Sequence, residues 1–120
     1  MATTKQLNDI LDEIADGPAI RFAALVSRDG FLVGNSSSTT EADQLAISRL
    51  VQMLTVADGV GEDLQEGNTK QIVVKYQNGL VVVDCLDSDA LLVTAVASEA
   101  SVAWVKYAVR KNLSEINQKV

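Results

Sequence analysis

Residues 41–57, EADQLAISRLVQMLTVA, decide how this chain is built. At the ~100° per residue of an α-helix, Leu45, Val56, Ala42, Met53, Ala46, Ala57, Leu50, Leu54, Ile47 and Val51 sweep roughly two-thirds of the circumference. Glu41, Ser48, Gln52, Thr55 and Gln44 supply the polar strip that remains. A helix lying on one neighbour needs an apolar stripe only a little wider than ~100°. The surplus predicts a helix packed on its own sheet and also on another protein. Thr40 and Asp43 have capping-box spacing at its start, and Asp58-Gly59-Val60-Gly61 is where the pattern runs out.

On the N-terminal side, Thr3 and Gln6 have capping spacing before Leu7, Ile10, Leu11 and Ile14, one apolar face of a first helix ended by Gly17-Pro18. Strands follow over 21–27 and 31–34, joined by Arg28-Asp29-Gly30, where glycine takes a positive φ without steric cost. On the C-terminal side the chain reads as strands over 71–76, 80–86 and 91–97, with Gln77-Asn78-Gly79 and Asp87-Ser88-Asp89 as turns. Leu80 to Val83 and Leu91 to Val93 are continuously apolar, which predicts a sheet covered on both faces. Ser98 then caps a last helix with Val102, Val105, Val109, Leu113 and Ile116 on one side. The predicted class is α+β: order α-β-β-α-β-β-β-α, a five-stranded antiparallel sheet flanked by helices on both faces. Residues 1–120 are expected to form one domain, without repeat or linker.

The chemistry on offer is sparse. The 120 residues contain no histidine, the usual general base and the commonest metal ligand. Cys85 has no base beside it and reads as a small buried hydrophobe. Asp84, Asp87 and Asp89 lack the spacing of a calcium loop, and Asp87 and Asp89 read as turn and cap residues. Gly59-Val60-Gly61 is not followed by Gly-Lys-Ser/Thr, so no phosphate-cradling loop is expected. No cofactor, metal site or catalytic constellation is predicted. A net charge of −6 argues against nucleic acid, and Lys106, Arg110 and Lys111 read as a solvated helix face. Trp104 and Tyr107, three apart, read as core or rim packing. No apolar run approaches the ~20 residues that span a bilayer, and MATTKQLNDI is not a signal peptide, so no membrane partner is expected and the chain is placed in the cytoplasm.

The segment AALVSRDGFLVGNSSSTTEADQLAISRL (23–50), with Lys70–Val74 and Asp87–Val93 in order behind it, resembles the Roadblock family, which includes dynein light chains and bacterial MglB-type regulators of small GTPases. The resemblance implies a Roadblock/profilin-like sandwich and a homodimer or heterodimer. In such dimers the third strands pair into a continuous sheet and the central helices lie side by side. It places Ala46, Leu50, Ile72, Val73 and Val74 at the dimer interface. It places Leu45, Arg49, Gln52, Met53 and Val56 on the surface where a small Ras-like GTPase docks. The residues agree on one point by themselves: Ile72, Val73 and Val74 with Lys75 form an apolar edge that a stable monomer should protect. Arg49, mid-helix, reads as an interface or ion-pair residue rather than an inserted arginine finger. The function implied is a non-catalytic dimeric adaptor that binds and regulates a small Ras-like GTPase. The alternative is a dimeric scaffold for another signalling or motor protein, with no effect on GTP hydrolysis.

Overall fold

The computed structural model describes residues 6–86 and 89–119, without the side chains of 113–115 and 117–119. Its elements run α1 (Leu7–Ala15), β1 (Ile20–Ser27), β2 (Leu32–Asn35), α2 (Glu41–Asp63), β3 (Gln71–Tyr76), β4 (Gly79–Cys85), β5 (Ala90–Val96) and α3 (Ala100–Lys119). This is the predicted order, with strand ends displaced by one residue. All neighbours pair antiparallel, in the spatial order β2-β1-β5-β4-β3. The two hairpins do not by themselves dictate that β5 lies between them.

Both faces of the sheet are covered, as the unbroken apolar runs require. One face packs Phe22, Ala24, Val26, Val83, Leu91, Val93 and Ala95 under Ile47, Leu50 and Leu54 of α2. The other packs Ala23, Leu25, Ala90 and Leu92 against α1 and α3, with Leu80, Val96 and Val105 extending that layer. Trp104 closes the α1–α3 seam by donating from Nε1 to the Ile14 carbonyl at 3.0 Å. Thr94 lies fully buried in β5 and its Oγ1 has no hydrogen-bond partner among the described residues. A buried hydroxyl without a partner keeps its desolvation cost, so Thr94→Val is expected to stabilise by about 1 kcal/mol, read as a higher melting temperature.

The turns follow their sequences in one case and not in the other. Gly30 sits at φ +95° and its N–H reaches the Ser27 carbonyl at 2.9 Å, closing the first hairpin as Asp-Gly predicts. The second hairpin turns on Gln77-Asn78 alone, because Tyr76 already pairs with Gly79. Gly79 is not a positive-φ residue. A Cβ there would meet the Val96 carbonyl oxygen at 2.9 Å, so glycine serves the close approach of β4 to β5.

At the start of α2 the capping box forms: Asp43 N–H donates to Thr40 Oγ1 at 3.1 Å and Thr40 N–H to Asp43 Oδ2 at 2.9 Å. For α1, Gln6 is the N-cap without a side-chain cap bond, and Thr3 lies outside the described residues. The predicted end of α2 is corrected. The helix runs through Gly59 and Gly61 to Asp63, because the chain beyond folds back on it. Glu66 N–H donates to the Gly61 carbonyl at 2.8 Å, and a Cβ on Gly61 would stand 2.2 Å from the Gly67 carbonyl oxygen.

Asp58 fastens this part of the helix. Its carboxylate accepts Thr69 N–H at 2.9 Å and Arg28 Nη1 at 3.0 Å. The bonds from Thr69, then the Arg28 guanidinium, hold the Asp58 carboxyl below its ordinary range. A folded-state pKa below the unfolded one stabilises above the unfolded value, and that stability is lost as pH falls through the folded value. Asp58→Asn is therefore expected to lower the melting temperature by a few degrees at pH 7. Its difference from the parent should vanish on acidification, in a melting series from pH 7 to pH 2.

Candidate interaction surface

With Ile47, Leu50 and Leu54 turned into the core, the opposite flank of α2 meets solvent. Leu45, Met53, Val56 and Val60 are 62%, 40%, 69% and 51% exposed. Together with Arg49 they recur at intervals of 4, 4, 3 and 4 residues. That is the spacing of a seam that packs on another helix, and at 1.5 Å per residue it is about 22 Å long. Leu64, 65% exposed, lies one turn further on, just past the helix end. Val60 and Leu64 escape the sequence reading because Gly59 and Gly61 suggest a helix end. The uninterrupted four-residue interval from Val56 is the signal available.

Two grooves run along this flank. One, of about 410 Å³, lies between Ala46, Arg49, Leu50 and Met53 on α2 and Tyr76, Leu80 and Val81 on the sheet. The other, of about 530 Å³, lies between Arg49, Gln52, Met53, Val56 and Ala57 and the β3 residue Ile72. The α2 positions predicted for the dimer and those predicted for a docked partner therefore share one surface, with Arg49 and Met53 lining both grooves. Leu50 only floors the first groove, since it is 5% exposed and belongs to the core. Ile72 and Val74 are half-buried and Val73 is 44% exposed. Arg49 is exposed and has no ion pair or hydrogen bond among the described residues.

This flank continues into β3, one of the two edges of the sheet. The edges differ in their protection. β2 has four residues, its register breaks by a bulge at Leu25/Val26, and α1 occupies its far end. There Asn35 N–H donates to Asn8 Oδ1 at 3.0 Å and Ser37 N–H to Asp12 Oδ1 at 2.6 Å. Short length, a bulge and side-chain caps are ways a sheet edge is kept from pairing with another chain, although Phe31 beside it is exposed. β3 has six residues in unbroken register with β4, and no proline or bulge.

The remaining candidates offer little chemistry. Burial pushes the Cys85 thiol up, with Asp58 and Asp84 adding to the effect and Arg28 opposing it, so the thiol is not activated. Asp89, at φ +62°, makes a turn and stands 3.8 Å from Arg28; Asp87 lies outside the described residues. No group of three potential metal ligands occurs among the described residues. The three cations of α3 separate, with Lys106 acting on Asp84 while Lys111 pairs with Glu13 at 3.4 Å. Among the described residues no helix is long and apolar enough to cross a membrane.

Comparison with known proteins agrees with this architecture. The Roadblock/LC7 domain family matches residues 6–97. Among solved structures, MglB of Myxococcus xanthus superposes with a TM-score of 0.78 at 14% identity, over 92% of this chain and 91% of that one. The gliding protein MglB of Thermus thermophilus gives 0.77 at 17% identity, over 92% and 85%. A Roadblock/LC7 domain from Streptomyces avermitilis gives 0.72 at 18%, over 92% and 99%. A comparison with curated proteins found no match. With the family matched from α1 to the end of β5, and the same fold in these neighbours, this chain belongs to the Roadblock/LC7 domain family.

Proposed function

We propose that this protein is a non-catalytic, dimeric adaptor of the cytoplasm that binds and regulates a small Ras-like GTPase. The observation that carries the reading is the continuity of the exposed α2 stripe with the unprotected β3 edge. A second copy related by a two-fold axis covers both at once, because an isologous contact presents the same patch twice. Strand pairing removes the open edge, and the side of each α2 that borders the sheet, at Ala46 and Met53, packs on its counterpart while Leu45 and Val56 stay at the rim. The GTPase as partner is supported by membership of a family that includes MglB-type regulators. The rims of the paired helices, with Leu45, Gln52 and Val56 beside the exposed Arg49, are its contact in this reading.

The test is affinity capture from native lysate with GDP and, in parallel, a non-hydrolysable GTP analogue. A small GTPase enriched only with the analogue supports the regulator. The same non-GTPase protein under both nucleotides overturns it in favour of the scaffold. Leu45→Glu with Val56→Glu is expected to reduce capture about tenfold or more, the effect of losing at least one hot-spot contact. Sedimentation of the same variant reports the dimer separately.

A further inference from the structure

The β3 edge also carries the register of its own pairing. Cys85 N–H donates to the Lys70 carbonyl at 2.9 Å, and the ladder runs unbroken from Gln71↔Asp84 to Tyr76↔Gly79. Antiparallel pairs alternate between hydrogen-bonded and non-hydrogen-bonded. Ile72, Val74 and Tyr76 therefore spend their N–H and C=O groups on β4, and Gln71, Val73 and Lys75 point theirs outward.

Resting on the dimer proposed above, with β3 paired to β3 of a second copy, we infer that the two-fold axis of that pairing lies at Val73. In that register Gln71 faces Lys75 of the partner subunit, Val73 faces its own counterpart, and every outward N–H and C=O of the strand is used. An axis at Ile72 leaves Lys75 without a facing β3 residue, and an axis at Val74 does the same to Gln71. An axis at Lys75 sets like charges opposite each other, which is destabilising.

Side chains favour the same register on both faces. Towards α2, Ile72 meets Val74 of the partner subunit, an apolar row beneath the helices. Towards α3, Gln71 Nε2 donates to Asp84 Oδ1 at 2.7 Å, which leaves Gln71 Oε1 to accept from the ammonium of Lys75 of the partner subunit. Lys75 already holds Glu99 of its own chain, so it joins both halves of the seam. A partner without a cation at the position of Lys75 and an amide at that of Gln71 loses both polar contacts, which makes these two residues determinants of self-pairing.

Cysteine cross-linking of the full chain, in a Cys85→Ala background, tests the register. Facing residues of a hydrogen-bonded antiparallel pair are about 5.5 Å apart at Cα, within disulfide reach. Val73→Cys is expected to give a covalent dimer on mild oxidation. Gln71→Cys and Lys75→Cys should cross-link when mixed and not separately. Lys75→Glu is expected to weaken self-association roughly two- to thirtyfold, for two cross-strand pairs per dimer, and adding Gln71→Lys should restore it. A dimer that cross-links through Gln71→Cys or Lys75→Cys alone, or at none of the three, overturns the register and leaves the dimer standing. A chain that sediments as a monomer overturns the dimer as well.

Discussion

Val73→Pro is expected to leave the subunit folded and to weaken its self-association severely. The Val73 N–H points away from β4, so a proline removes no hydrogen bond within the chain, and proline is tolerated on an edge strand in that orientation. The preceding residue, Ile72, is already extended, as a residue before proline prefers. Across the proposed seam two N–H groups disappear at the axis. At about 1–1.5 kcal/mol for each lost bond, the dissociation constant should rise roughly 30- to 150-fold. Val74→Pro, one residue along, makes the control. Its N–H is spent on Val81, so it should destabilise the subunit by about 1–3 kcal/mol. Circular dichroism and sedimentation of the two variants separate the outcomes, and a Val73→Pro chain that dimerises as tightly as the parent would show that β3 is not the seam.

Gly61→Ala and Gly59→Ala are expected to act in opposite directions although two positions apart in one helix. Among the described residues, nothing lies within 4 Å of a Cβ added at Gly59. Alanine there gains helix propensity and should stabilise by about 0.5–1 kcal/mol. At Gly61 the added carbon stands 2.2 Å from the Gly67 carbonyl oxygen, a backbone atom in a loop whose Gly67 is itself at φ +88°. That loop must move, and Glu66 N–H is drawn off the Gly61 carbonyl with it. A cost of about 2–3 kcal/mol is expected, as for other overpacked sites. Thermal melts of both variants check the pair. Equal effects would mean that the loop does not lean on the helix.

These two glycines also mark the limit of reading α2 from its letters. A Gly-Val-Gly run lowers helix propensity and announces an end, and nothing local says that Gly67 will return to lie on Gly61. Val60 and Leu64 are missed for that reason, and the interaction stripe reads a turn too short. Asn78-Gly79 carries a similar lesson. The dipeptide marks a hairpin correctly, yet the glycine serves a contact with Val96 on a strand seventeen residues later.

Periodicity by itself determined the elements and the class. The i, i+3, i+4 pattern of α1, the capping box and surplus apolar arc of α2, and the unbroken runs of β4 and β5 are local properties, set by backbone geometry and side-chain type. They sufficed for a five-stranded sheet with both faces covered, and for a central helix with one neighbour too few. The tertiary structure decided how the two edges differ. Residues 72–75 already read as an apolar edge, but only the folded chain brings Asn8 and Asp12 to cap β2, while no such backbone cap reaches β3 among the described residues. It also decided that Leu50 belongs to the core whereas Met53, one turn along, lines both grooves. Exposure is a relation between segments distant in sequence, so it enters only when β5 inserts between the hairpins and sets where α2 comes to rest.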